Sequence, residues 1–155
     1  VYKRQHYILT AAHVVVGSPT AMIVGDKEVI IGDVVFADAY SDVALISIAG
    51  MINRDPIKWR MSARKNIGDE IIYSAMGLLT IKGYIAGYDS FMTVIHSYVW
   101  RGASGSLVLD ERGMIVGVVS SVAIGTDVTG FPAIIEDVGL VVPVYAIEEF
   151  LKTQK

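Results

Sequence analysis

Short runs of β-branched residues, each interrupted by Gly, Asp or Ser, are the feature of this sequence that most constrains its fold. Most of the chain lacks the 3.6-residue apolar period of an amphipathic helix. Many short strands at hairpin spacing are typical of antiparallel barrels or sandwiches. The predicted strands are Tyr7–Ala12, Ala21–Val24, Glu28–Phe36, Val43–Ile48, Glu70–Ala75, Ile81–Tyr88, Phe91–Ser97, Ser106–Leu109, Met114–Ser121 and Gly139–Val142.

Composition excludes several classes of protein. With 53% hydrophobic and 19% charged residues in 155, the chain has the material for a large core and is not disordered. A net charge of −3 argues against a surface that neutralises nucleic-acid phosphates. The absence of Cys excludes thiolate nucleophiles and Cys-type zinc sites, and the three His lack metalloprotease spacing, so no cofactor or metal is expected. The longest stretch without an ionised side chain, Gly113–Thr126, is fourteen residues, short of the ~20 that a membrane-spanning helix needs.

The pattern divides the chain into four parts. Residues 1–50 and 68–142 carry the strands, and 51–67 is a polar connection with five cations. Residues 143–155 form the one predicted helix, with Pro143 at its first position. About four strands precede the connection, too few to close a barrel, so we expect the sequence to lack its natural start and two upstream strands. Residues 125–137 are predicted to form a loop, either an adjustable one or a simple connection.

Three short segments carry residues with catalytic chemistry. A histidine ends an apolar run at His13, an acid precedes one at Asp42, and Ser104 lies between glycines just before another strand. A serine hydroxyl becomes a useful nucleophile when an imidazole removes its proton, and a carboxylate on the other ring nitrogen holds that imidazole in the right tautomer. The N–H groups of Gly102 and Ser104 are candidates for an oxyanion hole, because glycine permits the turn that aims them at one point. Each segment alone is weak evidence for catalysis, but the three together predict a base, an orienting acid and a nucleophile.

The order of these residues along the chain discriminates between serine-hydrolase scaffolds. All three histidines precede Ser104, which excludes the α/β-hydrolase order, and the first acid, Asp26, follows His13, which excludes the subtilisin order. The order His, Asp, Ser remains, and it is that of chymotrypsin-type double β-barrels.

From Tyr7 to about Lys152 the sequence resembles trypsin-like serine peptidases of the HtrA (Do-like) or related bacterial type. The resemblance lies in 8–16, 41–48, 68–70, 100–117 and 138–143. It implies a chymotrypsin-like double antiparallel β-barrel, with the first barrel incomplete at its N-terminus, and a C-terminal helix. It also implies serine endopeptidase activity and a polypeptide substrate. The resemblance favours an extracytoplasmic or secreted location, and the compartment stays open. The triad would be His13, Asp42 and Ser104. Ser106 departs from the glycine usual in HtrA-like members, and Ala103 replaces the acid that animal-type zymogens use for activation.

The resemblance also suggests where substrate binds. Tyr98 lies six residues before Ser104, where a trypsin-type enzyme carries Asp, so an apolar primary pocket is expected. Substrate backbone is expected to add as a strand along Val118, Val119 and Ser120.

Two alternatives remain open at this stage. The first is a catalytically silent module of the same fold that binds extended peptides, and the second is an unrelated β-rich structural domain. His96 is expected to be a packing residue, and Trp100 either contacts substrate or covers the barrel junction. The oligomeric state stays open, and His6 is given no role. Five cations are expected to form a solvated face without nucleic-acid binding: Arg54, Lys58, Arg60, Arg64 and Lys65.

Overall fold

The architecture consists of a four-stranded antiparallel sheet, a closed six-stranded barrel and one C-terminal helix. The computed structural model describes residues 7–25, 28–49, 57–75 and 79–153. The strands are β1 (Tyr7–Thr10), β2 (Thr20–Val24), β3 (Val29–Asp38), β4 (Val43–Ile48), β5 (Glu70–Ala75), β6 (Leu79–Asp89), β7 (Met92–His96), β8 (Leu107–Asp110), β9 (Ile115–Thr126) and β10 (Pro132–Pro143), and the helix is α1 (Val144–Thr153). The predicted all-β class with a terminal helix is confirmed. His6, Arg54 and the start of the connection lie outside the described residues.

Strand order explains which segments are buried. The sheet runs β1-β4-β3-β2, and five of the six residues of β4 are buried because alternate side chains pack into two apolar clusters, one on each face. The barrel runs β10-β7-β6-β5-β8-β9, with apolar side chains alternating into its interior.

A separate apolar cluster joins the sheet to the barrel. It contains Val43 and Leu45 of β4, Val118 of β9, and Ile147 and Phe150 of α1. The apolar side chains of α1 therefore pack against both units, and this packing fixes how β4 faces the barrel.

The region 125–137 differs from its prediction. Instead of a loop, β9 continues to Thr126 and β10 begins at Pro132, so the two strands form a long hairpin. Its turn is held by the Asp127 carboxylate, which accepts hydrogen bonds from the backbone N–H groups of Thr129 and Phe131. Pairing with the neighbouring strand outweighs the local turn signals of glycine and proline.

A buried carboxylate fastens the connecting segment to the barrel. Asp110 is 2% exposed and accepts hydrogen bonds from the N–H groups of Arg112 and Met114, which close the β8–β9 turn. The same carboxylate receives the Lys65 ammonium at 2.8 Å and the Ser62 hydroxyl at 2.8 Å. Burial opposes ionisation, but these partners together lower the pKa of Asp110 to about 2, and Asp110 raises the pKa of Lys65. Lys65 is therefore not part of a solvated face, contrary to prediction.

Replacing Asp110 with Asn should lower the free energy of unfolding at pH 7 by about 2 kcal/mol, because the carboxylate is more acidic when folded than when unfolded. The contribution is present above the unfolded pKa near 3.8 and is lost as the pH falls towards 2. Denaturant titrations from pH 7 to pH 2 should show the curves of the wild type and of the Asp110→Asn variant converging in acid. Glu111→Gln, on an exposed neighbour, is the control and should change little. A gap at pH 2 as large as that at pH 7 would contradict this account.

Among the described helices, none is long and apolar enough to cross a membrane.

Candidate active site

His13 and Asp42 are brought together by two turns of the four-stranded sheet. His13 lies in a 3₁₀ turn (Ala12–Val14) just after β1, not at a strand end as predicted. Its ring Nδ1 lies 2.9 Å from Asp42 Oδ2 and 3.1 Å from Oδ1, and its backbone N–H donates to Oδ1 at 2.9 Å. The Ala12 N–H donates to the Asp42 carbonyl at 3.1 Å. The His13 side chain is 49% exposed, whereas that of Asp42 is 12% exposed, so one ring edge is fixed while the rest faces the cleft.

Asp42 also contacts the barrel. It sits at the start of β4 with φ of 53°, a left-handed conformation that aspartate tolerates better than most residues. The Ser120 hydroxyl on β9 donates to Asp42 Oδ2 at 2.5 Å. The carboxylate thus accepts hydrogen bonds from His13 and Ser120 and links the two units electrostatically.

Ser104 lies in the loop between β7 and β8, beside Ser120. Its hydroxyl donates to the Ser120 carbonyl oxygen at 2.7 Å, and among the described residues it makes no hydrogen bond with His13. Ser120 therefore lies between the two parts of the site: its hydroxyl bonds to Asp42, and its backbone carbonyl accepts the Ser104 hydroxyl.

The described part of the loop around Ser104 contains unbonded backbone N–H groups next to the serine. Gly102 has φ of 101° and Gly105 has φ of 88°, conformations that favour glycine. The N–H groups of Ala103, Gly105 and Ser106 donate to Trp100, Val119 and Ala103 carbonyls, respectively. Within the described part of the chain, the N–H groups of Gly102 and Ser104 donate to no protein acceptor. Free N–H groups of this kind are what an oxyanion site requires.

Val118 and Val119, the first two residues of the strand on which substrate is expected to add, lie inside the barrel wall. Their side chains are 3% and 0% exposed. Val118 pairs with Leu107 on one side and Val142 on the other, while the Val119 N–H and carbonyl are bonded to the loop around Ser104. From Ser120 to Thr126, β9 pairs only with β10 among the described strands. The free edge of β9 therefore begins at Ser120.

A cavity of about 310 Å³ adjoins this free edge. Tyr98 and Trp100, whose ring centroids are 5.4 Å apart, form part of its wall. Val122, Ile134 and Asp137 complete it from β9 and β10, and sequence reasoning missed these residues because they fall on or near the segment predicted to be a loop.

His96 lies apart from the candidate active site, stacked on Tyr84 with centroids 4.9 Å apart, as expected for a packing residue. Among the described residues, no cluster of three His, Cys, Asp or Glu side chains could hold a metal ion.

Known structures share this fold. The chain aligns over 99% of its length with the HtrA-type protease AlgW with decapeptide (TM-score 0.79, 18% identity) and with the serine endoprotease from Yersinia pestis (TM-score 0.78, 18% identity). It also aligns over 99% of its length with Rv3671c from M. tuberculosis H37Rv (TM-score 0.75, 19% identity). It spans 49%, 55% and 78% of these chains, respectively, so it covers about half of the first two. These alignments confirm the chymotrypsin-like fold.

Among curated proteins, none matches the sequence. A family model, the trypsin-like peptidase domain, matches residues 1–118, about three quarters of the chain. The His13–Asp42 pair and the Ser104 loop lie within this range. The chain belongs to the trypsin-like peptidase domain family.

Proposed function

We propose that this chain is a serine-type endopeptidase that hydrolyses peptide bonds through an acyl-enzyme intermediate. The observation that carries the proposal is the set of hydrogen bonds across both units: His13 to Asp42, the Ser120 hydroxyl to Asp42, and the Ser104 hydroxyl to the Ser120 carbonyl. A purely structural role would not require a half-exposed imidazole beside a nearly buried carboxylate and a serine between positive-φ glycines.

In the proposed reaction, the Ser104 oxygen attacks the carbonyl carbon of the scissile bond while His13 Nε2 accepts the hydroxyl proton. His13 then gives that proton to the leaving amine as the C–N bond breaks, and Asp42 stabilises the imidazolium in between. Water attacks the resulting ester with His13 again as base, which releases the acid product and restores the serine. The N–H groups of Gly102 and Ser104 stabilise the negative oxygen in both steps.

The Ser104 hydroxyl must leave the Ser120 carbonyl before it can give its proton to His13. We propose that substrate promotes this change. A peptide that adds as a strand to the free edge of β9 presents its own N–H groups there, and these compete for the Ser120 carbonyl. The serine hydroxyl is then available to the imidazole, so binding and activation of the nucleophile are coupled.

Primary specificity for apolar side chains is proposed from the cavity beside this edge. Tyr98, Trp100, Val122 and Ile134 supply most of its wall. Arg101 and Asp137 also line it, and their opposite charges leave it without a net charge to select a charged side chain. AlgW was solved with a decapeptide, and polypeptide is the substrate class proposed here.

A fluorophosphonate reagent tests the mechanism directly, because it phosphonylates serines that an adjacent base activates. We expect labelling of the folded chain at one residue, and mass mapping of proteolytic fragments should place the adduct on Ser104. A folded protein that resists the reagent and leaves unfolded protein substrates intact would disprove the proposal.

One observation favours the silent peptide-binding module as a second candidate. The Ser104 hydroxyl is bonded to the Ser120 carbonyl and not to His13. Saturable binding of an extended peptide, with no cleavage products and no fluorophosphonate adduct, would support this candidate over the endopeptidase.

Replacing Ser120 with Ala should lower kcat about tenfold with little change in KM, because it removes a hydrogen bond to the Asp42 carboxylate while leaving the backbone acceptor in place. The role expected for Ser120 is positioning, so the kcat-against-KM split is the informative readout. Ser121→Ala, one residue along the same strand, is the matched control and should retain wild-type kcat. Equal losses in both variants would indicate a general effect on β9.

A further inference from the structure

A second cavity lies at one mouth of the closed barrel, away from the candidate active site. Its volume is about 270 Å³, and it shares no residue with the candidate active site or with the cavity beside Trp100. Ile85 and Val116 line it from inside the barrel, Val144 from the start of α1, and 61–65 from the connecting segment. Mouths of β-barrels are among the common places for small-molecule sites.

The Thr93 hydroxyl on the wall of this cavity has no hydrogen-bond partner among the described residues. Thr93 on β7 is 3% exposed and lines the cavity. No hydrogen bond of its hydroxyl is found among the described residues, although every fully enclosed side-chain oxygen and nitrogen there has a partner. The Thr93 hydroxyl is therefore not enclosed, and it opens onto the cavity. Because no described residue bonds to it, this hydroxyl can donate a hydrogen bond to, or accept one from, a ligand in the cavity.

Two further side chains extend this polar group towards the cavity rim. Tyr88 is the direct cross-strand partner of Thr93, so their side chains share one face of the barrel wall. The Arg64 guanidinium lies 4.7 Å from the centre of the Tyr88 ring, and both residues line the cavity. The other lining cation, Lys65, is already paired with Asp110.

The charge around the cavity favours an anion. Among the described residues, no carboxylate lines it and Arg64 forms no ion pair, so none of them neutralises the positive charge of Arg64. The remaining wall is largely apolar, with Met61, Ile85 and Val116 among its members. The site thus combines a cation and a free hydroxyl with an apolar interior.

We propose that this cavity binds a small amphiphile with a carboxylate head and a short aliphatic tail. The head would accept hydrogen bonds from Thr93 and Arg64 across the Tyr88 ring, and the tail would lie against Ile85 and Val116. A cavity of about 270 Å³ has the volume of roughly nine waters, which suits a ligand of about ten non-hydrogen atoms. Octanoate has this size and chemistry and is the probe for the test.

Octanoate should bind the full chain with a dissociation constant on the order of 0.1 mM, measured by calorimetry and by protein-detected NMR. Thr93→Val, which keeps the shape and removes the hydroxyl, should weaken binding about tenfold. Thr80→Val makes the same chemical change at an exposed position of β6 and should leave binding unchanged. Arg64→Gln should weaken the binding of octanoate but not that of octanol, because the uncharged alcohol makes no ionic interaction with Arg64.

Steric blocking provides an independent variant. Ala63→Phe places a ring at the rim of the cavity and should abolish octanoate binding while the thermal transition remains cooperative. The proposal is overturned if no binding is seen at an octanoate concentration tenfold above the expected dissociation constant. It is also overturned if the Thr93→Val and Thr80→Val variants bind octanoate equally well. Octylammonium binding as tightly as octanoate would overturn the assignment of a carboxylate head.

Discussion

Replacing Ser104 with alanine should abolish fluorophosphonate labelling and lower kcat/KM for a peptide substrate by a factor of about 10⁴–10⁶. The loss is large because the acyl-enzyme route needs the Ser104 oxygen, and the remaining groups can only orient water weakly. The measurement is single-turnover cleavage of a fluorogenic peptide, with labelling followed by mass spectrometry.

Ser106 provides the matched control for this variant. It is a second serine in the same loop, and its backbone N–H donates to the Ala103 carbonyl. Ser106→Ala should keep both labelling and turnover within a few-fold of wild type. If Ser106→Ala removes the adduct while Ser104→Ala retains it, the nucleophile has been misassigned.

Replacing Asp42 with Asn should lower kcat/KM by about 10⁴ while the protein stays folded. The amide NH₂ of asparagine would donate where the carboxylate accepts, so His13 would present its proton at Nε2 and be unable to act as a base. Progress curves at high enzyme concentration should resolve the residual rate, and fluorophosphonate labelling should slow in parallel.

Asp33 is the control for the loss of a carboxylate from the same sheet. It lies exposed on β3, and Asp33→Asn should retain full activity. Comparable losses in both variants would mean that sheet stability, and not the orientation of His13, explains the effect.

The strand content can be predicted well from the sequence, because local preference and burial agree in most strands. Residues 43–48 and 70–75 are so rich in β-branched and aromatic side chains that local preference and burial agree. The order His13, Asp42, Ser104 restricts the scaffold because few folds place those residues in that order.

Features that depend on strand register are not visible in the sequence. Ser120 contacts Asp42 across 78 positions, and a shift of one residue in β9 would turn its side chain away. The same register buries Val118 and Val119, which sequence reasoning placed beside the substrate. Lys65 looked like one of several solvated cations because its buried partner, Asp110, lies 45 residues further along the chain.

The hairpin of β9 and β10 shows that local turn signals in a sequence can predict a loop where two strands pair. Gly125, Gly130 and Pro132 are strong local signals for a loop, yet backbone pairing continues through two of them. Local preferences of single residues are small compared with the hydrogen bonds that a partner strand supplies, so long hairpins are underestimated from sequence.

The proposed machinery is divided between two bodies that meet through the apolar cluster of β4, β9 and α1. His13 and Asp42 belong to one body, and Ser104 belongs to the other. A rigid rotation of a few degrees between them would separate imidazole from hydroxyl while every strand stayed intact. Turnover by the proposed peptidase would then depend on how the two units dock as well as on the folding of each.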